Sequence, residues 1–96
     1  MADLHLDPVS HRVTRAGREI KLTAKEYALL HHFMQHRGRV LSRARLTEQV
    51  WGGNEESFTN VVDVYINYLR NKVDKGFEPR LIHTVRGAGY VLREPD

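Results

Sequence analysis

The sequence has 96 residues, of which 41% are hydrophobic and 28% are charged, and these values are typical of one folded globular domain. A chain of this length buries only about 60–65% of its unfolded surface, which excludes a deep catalytic cleft between two domains. It contains no cysteine, so disulfides and thiolate metal sites are excluded and a reducing cytoplasm is the expected compartment. The sequence has neither a run apolar enough for a membrane span nor the features of a signal peptide at its start.

The net charge of +3 is distributed unevenly along the chain. Residues 59–93 carry six Lys and Arg against three Asp and Glu, whereas the two signs nearly balance before residue 59. This excess predicts that an anionic partner binds the C-terminal third. A solvated surface with scattered charges would explain so small an imbalance equally well. The charge distribution alone therefore does not establish that the chain binds an anionic partner.

The first 22 residues have the alternating pattern of short β-strands. Leu4 and Leu6 alternate with polar residues, and after a turn at residues 15–17 Ile20 and Leu22 do the same. Apolar residues at every second position, separated by turn residues, predict a small antiparallel sheet with one buried face.

Two helices are predicted next, each from a polar residue that can cap its first turn. Thr23 and Glu26 form a predicted capping box, and this first helix should extend to about Arg37. Ser42 is the predicted N-cap of the second helix, which is broken at residues 51–54. We expect Trp51 to pack at the end of that helix.

A third helix is predicted after Thr59, its candidate N-cap, and it should continue to about Lys75. Its apolar residues recur at spacings of 4, 3 and 4, which predicts the face that packs on the core: Val62, Ile66, Leu69 and Val73. Residues 81–85 and 90–93 then flank a glycine-containing turn and predict a β-hairpin.

The order of these elements predicts an α+β fold, a winged helix-turn-helix. It would have an N-terminal antiparallel β-sheet, a three-helix bundle and a C-terminal β-hairpin wing, formed as one domain by residues 1–96. In this arrangement the third helix enters the major groove of DNA. The sequence therefore points to a DNA-binding domain.

The side of the third helix opposite the apolar stripe has no carboxylate at its centre and presents three amides and a valine. Amides can bond to adenine N6 and N7, and a valine can contact the thymine methyl group. A small rotation of the helix would bring its flanking residues to the bases instead. The predicted major-groove contacts are therefore Asn60, Asp63, Val64, Asn67, Tyr68 and Asn71.

Hydroxyl and cationic side chains beside this face can bind phosphates. The predicted phosphate contacts are Thr59, Tyr65, Arg70, Lys72, Thr84 and Tyr90. Arg86 lies at the tip of the hairpin, where an arginine can enter a narrow minor groove. A solvated helix face and a solvated turn arginine would have the same local sequence, and it is their combination that favours DNA binding.

Four segments of the sequence resemble the effector domain of the OmpR/PhoB family of bacterial response regulators. They are LTAKEYALLHHFM at 22–34, GRVLSRARLTEQVW at 38–51, NVVDVYINYLRNKVD at 60–74 and LIHTVRGAGYVLRE at 81–94. The resemblance extends from about Leu4 to Leu92. It implies a four-stranded N-terminal sheet, a three-helix bundle and a hairpin wing.

The resemblance also implies partners. Family members carry a receiver domain, absent from this chain, which a cognate sensor histidine kinase phosphorylates. They bind double-stranded promoter DNA as tandem dimers on direct-repeat half-sites. The segment between the second and third helices contacts RNA polymerase in the family, and here it contains Gly52, Gly53, Asn54, Glu55 and Glu56.

In one respect the sequence departs from the family pattern. Many members have arginines on the outer face of the third helix, where this sequence has Asn67 and Tyr68. We therefore expect the mode of docking to carry over and the base preference to differ.

A metal site or a catalytic site is the main alternative that the residues raise. His32 and His36 are four apart in the first helix, but no third ligand or HExxH motif accompanies them, and we expect both to be solvated. The serines lie outside any nucleophile motif. The sequence therefore predicts no metal, no cofactor and no enzymatic activity.

Two further alternatives stay open from the sequence. A winged helix can bind another protein without contacting DNA. A membrane-anchored activator can carry the same domain, because that difference would lie outside these residues.

Overall fold

The protein was analysed as a computed structural model, in which the structure describes residues 1–52 and 61–95. Its strands are β1 (Leu4–Asp7), β2 (Arg12–Arg15), β3 (Arg18–Ile20), β4 (Ile82–Val85) and β5 (Gly89–Leu92). Its helices are α1 (Ala24–Gln35), α2 (Arg43–Trp51) and α3 (Val61–Leu69), and a π-helical turn (Arg70–Asp74) continues α3. The predicted order of sheet, helices and hairpin is confirmed.

The N-terminal strands form an antiparallel sheet in the order β1-β2-β3. Leu4 and Val13 are buried on its inner face, as the alternation predicted. The resemblance implied four strands here, but among the described residues this sheet has three.

The beginnings of α1 and α2 are confirmed in detail. Glu26 N donates to Thr23 Oγ1 at 3.2 Å, and Thr23 N donates to Glu26 Oε1 at 2.9 Å, which completes the capping box. Arg45 N donates to Ser42 Oγ at 3.1 Å. Helix α1 ends at Gln35, slightly earlier than predicted.

The predicted core face of α3 is confirmed. Val62, Ile66, Leu69 and Val73 have no exposed surface. They belong to one apolar cluster to which every layer of the fold contributes, including Leu4, Leu30, Phe33, Leu46, Leu81 and Leu92. Truncating one such side chain to alanine costs about 2–5 kcal/mol. This packing fixes which side of α3 faces outward.

A fully buried arginine ties the N-terminal sheet to the end of α3. Arg15 Nη1 donates to Val73 O at 2.5 Å and to Asp74 Oδ1 at 3.1 Å. Its Nε donates to Asp3 Oδ1 at 2.7 Å, and its Nη2 donates to Pro79 O. The sequence placed Arg15 in a turn, which is wrong, because Arg15 ends β2 and the turn follows it.

The hairpin of β4 and β5 is confirmed and is anchored to the link between α1 and α2. Leu41 N donates to Tyr90 O at 2.8 Å, and Tyr90 N donates to Leu41 O at 3.0 Å. A Cβ on Gly89 would overlap the Leu41 carbonyl oxygen, and the φ of Gly89 is 143°. This position therefore requires glycine. The wing base is thus held against the link between the helices, and its turn at residues 86–88 is exposed.

Candidate nucleic-acid interface

The outer face of α3 is open to solvent. Asn67 and Asn71 are exposed, and Val64 and Tyr68 are exposed by 36% and 46%. Val64, Asn67 and Asn71 are on the side of the helix away from the buried stripe, as predicted, and Tyr68 flanks them. Asn60, the fourth predicted member of this face, and Thr59 lie outside the described residues.

The structure does not place Asp63 on this open face. Its Oδ1 accepts a hydrogen bond from Arg43 Nε at 2.7 Å and another from the Tyr90 hydroxyl. Partial burial acts to raise the pKa of Asp63, but the hydrogen bonds from Tyr90 and Arg43 outweigh it and hold the pKa below its usual range. The predicted base contact therefore needs correction: the carboxylate faces α2 and the wing base.

Tyr90 is likewise engaged within the protein. It is 5% exposed, and two guanidinium groups contact its ring, with Arg43 Cζ 5.3 Å and Arg70 Cζ 5.6 Å from the ring centroid. Burial raises the pKa of Tyr90, and the Asp63 carboxylate raises it further. A direct phosphate contact was predicted for Tyr90, but Asp63 occupies its hydroxyl. Its ring instead positions two arginines.

Arg70 and Thr84 meet at the cleft between α3 and β4. Arg70 Nη2 donates to Thr84 Oγ1 at 2.5 Å, and Arg70 Nε donates to Ile82 O at 3.4 Å. The arginine is half-buried and the threonine is exposed. Both predicted phosphate contacts thus lie where the third helix and the wing adjoin.

Lys72 faces the opposite flank of the helix. Its Nζ donates to the buried carboxylate of Glu26 at 2.7 Å, which links the end of α3 to α1. Burial acts to raise the pKa of Glu26, but the hydrogen bonds from Lys72 and Thr23 outweigh it and lower the pKa. Lys72 was predicted to bind phosphate, and this ion pair gives it a structural partner instead.

Tyr65 also packs within the protein rather than reaching outward. It is half-buried, and its ring meets Trp51 edge-on at 5.1 Å between centroids and Tyr68 at 5.4 Å. Trp51 is buried at the end of α2, which confirms its predicted packing role. The predicted phosphate contact of Tyr65 is therefore less accessible than the sequence suggested.

Arg86 lies at the wing tip, in the turn between β4 and β5. It is exposed, and no carboxylate pairs with it among residues 1–52 and 61–95. The guanidinium is therefore available to an external anion. In the segment that the resemblance predicts to contact RNA polymerase, Gly52 ends α2 in the left-handed conformation, and Gly53, Asn54, Glu55 and Glu56 lie outside the described residues.

The histidine pair at the end of α1 was expected to be solvated, and the structure leaves both side chains only partly exposed. His32 and His36 are half-buried with ring centroids 4.5 Å apart, and His36 Nδ1 is 2.9 Å from His32 O. Within the described part of the chain, His32 Nε2 is buried without a hydrogen-bond partner. Burial lowers the pKa of His32, and nearby His36, Arg45 and His31 lower it further. No group of three or more potential metal ligands clusters among those residues.

Sequence reasoning missed Arg43. Its side chain is 47% exposed at the start of α2, where it joins Asp63 to Tyr90. The charge count directed attention to the C-terminal third, and Arg43 precedes that region. Its position in the second helix was the available signal, because the helix that precedes the recognition helix of a helix-turn-helix crosses the DNA backbone.

Comparison with known proteins identifies the family. Residues 17–92 match the family model described as "Transcriptional regulatory protein, C terminal". The chain belongs to this family. It is the DNA-binding output domain of a transcription regulator of the OmpR/PhoB type, and it is not an enzyme. Family membership thus favours DNA binding over a winged helix that binds only protein.

Individual relatives agree with this assignment. The chain is 52% identical over 96 residues to the transcriptional regulatory protein CusR of Escherichia coli K12, and the match covers all of this chain and 42% of CusR. The chain thus spans about two fifths of that relative's length. Among solved structures, the DNA-binding domain of CpxR from E. coli is 31% identical with a TM-score of 0.84, covering 100% of this chain and 95% of that one.

A second solved structure is the Klebsiella pneumoniae RstA DNA-binding domain in complex with the RstA box. It is 32% identical with a TM-score of 0.84, and the match covers 95% of this chain and 91% of that one. Among the described residues of the present chain, no helix is long and apolar enough to cross a membrane.

Proposed function

We propose that this domain binds duplex promoter DNA sequence-specifically, with α3 in the major groove and the wing in the adjacent minor groove. One observation carries the proposal. On its outer face the third helix exposes amides and a valine opposite a fully buried stripe, and the exposed Arg86 at the wing tip has no carboxylate partner among residues 1–52 and 61–95. Such a face matches the donor, acceptor and methyl pattern of base edges.

The side chains divide between base and backbone. Asn67 and Asn71, with Asn60, are proposed to bond to adenine, and Val64 to contact a thymine methyl group. Tyr68 flanks this face. Arg86 is proposed to enter a minor groove narrowed by A·T base pairs, where the negative potential is strongest.

Backbone contacts are proposed for Arg70 and Thr84, which adjoin in the cleft between α3 and β4. Arg43 joins them, because it is half exposed and is held by the same tyrosine ring as Arg70. Asp63 and Tyr90 act through these arginines as positioning residues. Arginine side chains fixed in this way lose less conformational entropy when they bind phosphate.

Several partners are proposed from family membership. In the full-length protein a receiver domain phosphorylated by a sensor histidine kinase would control this domain, and two copies would bind direct-repeat half-sites in tandem. The segment that includes Gly52, Gly53, Asn54, Glu55 and Glu56 would contact RNA polymerase. Because these DNA and polymerase partners lie in the bacterial cytoplasm, the domain would act there.

The wing provides the test of this docking mode. Duplex affinity is measured against salt concentration for the wild type, for Arg86→Ala and for Arg37→Ala, an exposed arginine at the far end of α1. The wild-type log affinity should fall linearly with log salt, at about −0.9 per phosphate contact. Arg86→Ala should weaken binding most on duplexes whose wing site is rich in A·T base pairs, and Arg37→Ala should not. An affinity indifferent to salt would contradict the proposal.

A further inference from the structure

A basic depression lies at the C-terminal end of the third helix, on the side that faces the wing. Its volume is about 540 Å³. The end of α3 and its π-helical turn form one wall with Arg70, Asn71 and Lys75, and the start of the wing forms the other with Arg80, His83 and Thr84. Lys75, Arg80 and His83 are not among the residues proposed to contact DNA through the outer face of α3 or the wing tip.

The charged side chains that line the open side of this depression are cationic and lack carboxylate partners among the described residues. Lys75 and Arg80 are exposed, and neither has a carboxylate partner among residues 1–52 and 61–95. Arg70 uses Nε and Nη2 for contacts to the wing, which leaves Nη1 without a partner in the same part of the chain. Three permanent cations therefore surround one concave surface.

The carboxylate that lines the depression, Asp74, has its negative charge offset by hydrogen-bond donors inside the protein. It is buried, and its oxygens accept hydrogen bonds from Leu81 N and Ile82 N, both at 3.0 Å, and from Arg15 Nη1 at 3.1 Å. Its charge is thus directed away from the open side.

The end of a helix carries partial negative charge that disfavours an anion. Here Val73 O, one of the last carbonyl groups, accepts from Arg15 Nη1 at 2.5 Å, so a buried cation lies against this helix end. That cation offsets part of the unfavourable field, and Arg70, Lys75 and Arg80 add positive charge at the open side.

We propose that this depression binds the DNA phosphodiester backbone, with Lys75 and Arg80 contacting phosphates beyond those held by Arg70 and Thr84. The inference rests on the proposed function and deepens it. Asn71 on the base-reading face and Thr84 on the wing both line the depression. We therefore expect the DNA backbone between the major groove bound by α3 and the minor groove bound by the wing to cross this depression.

The test uses matched charge-removing variants. Lys75→Gln and Arg80→Gln, singly and together, are compared with Lys21→Gln and Arg37→Gln, which remove exposed cations that lack ion-pair partners in the described part of the chain. Affinity for a preferred and a scrambled duplex is measured over about 50–200 mM salt. Unfolding midpoints in urea verify that all four positions tolerate the change.

Each single variant should make the slope of log affinity against log salt shallower by about 0.9, and the double variant by about 1.8, equally on both duplexes. The control variants should keep the wild-type slope. Ethylation of phosphates should locate the contact between the major-groove and minor-groove sites, and Arg80→Gln should remove that interference.

Wild-type slopes for Lys75→Gln and Arg80→Gln would overturn this inference and leave the proposed function standing, provided that Arg86→Ala still weakens binding. A wild-type protein without salt-dependent affinity would instead overturn the proposed function itself. The two failures are therefore distinguishable.

Discussion

The Tyr90 hydroxyl of the wing donates a hydrogen bond to Oδ1 of Asp63 in the third helix. Arg43 of α2 donates to the same oxygen at 2.7 Å. One carboxylate oxygen thus joins three elements that surround the proposed DNA site. The wing is also joined to the end of this helix by Arg70, which donates to Ile82 O and Thr84 Oγ1, so both contacts hold the wing against the third helix.

We expect Tyr90→Phe and Asp63→Asn to be coupled. Each change weakens the same hydrogen bond, so the double variant should lose less stability than the sum of the single variants, which should each cost about 1–3 kcal/mol. Urea unfolding of the four proteins in the cycle measures the coupling. Tyr68→Phe is the control, because that ring is exposed and should lose almost no stability. Strict additivity would show that the bond contributes nothing.

Arg15 is expected to be essential to the fold. Arg15→Met would leave the Asp74 carboxylate and two carbonyl oxygens without their buried donor, at a cost of about 3–5 kcal/mol. Arg12→Met, an exposed change on the same strand, should cost at most about 0.5 kcal/mol. Urea unfolding compares them, and equal stabilities would contradict the role assigned to Arg15.

Stability should fall as the pH drops below about 6.5, the ordinary pKa of histidine. Burial lowers the pKa of His32 in the folded state, so the unfolded chain takes up a proton that the folded protein does not. The loss should continue until the pH reaches the folded pKa. Unfolding free energies measured between about pH 5 and 8 should show this slope, and His32→Gln should flatten it.

His5→Gln is the control for this measurement, because His5 is exposed on β1. It should retain the wild-type pH dependence. A slope unchanged in His32→Gln would mean that another group takes up the proton.

The sequence predicted those features that depend on local spacing. The buried stripe of α3 followed from its periodicity, and the starts of α1 and α2 followed from Thr23 and Ser42, whose capping bonds span only three residues. The outward side of α3 was therefore predictable as well.

Features that depend on distant partners were not predictable. Arg15 meets Asp74 across 59 residues, and Asp63 meets Tyr90 across 27. A signal for Arg15 did exist, because it is two residues after the buried Val13 and so faces the same side of β2. The ion pair between Lys72 and Glu26 was not predictable for the same reason, because it depends on how α1 packs against the end of α3.

The π-helical turn after α3 was likewise not predictable from the sequence, because it adjoins a tertiary contact. Its hydrogen bond from Lys75 N to Arg70 O spans five residues instead of four. The adjoining Val73 O and Asp74 are both bound by Arg15, and this tertiary contact is invisible to helical periodicity.

Selection of bound sites from random duplexes, with the wild type and Asn67→Ala in parallel, tests the central claim most directly. The wild type should enrich two direct repeats about 10–11 base pairs apart, with major-groove cores rich in A·T base pairs. Asn67→Ala should cost about 1–3 kcal/mol on that site and lose discrimination at one or two positions, whereas Gln35→Ala, an exposed amide on α1, should change neither. A G·C-rich consensus that Asn67→Ala leaves unchanged, or no consensus at all, would contradict base reading by this face of α3.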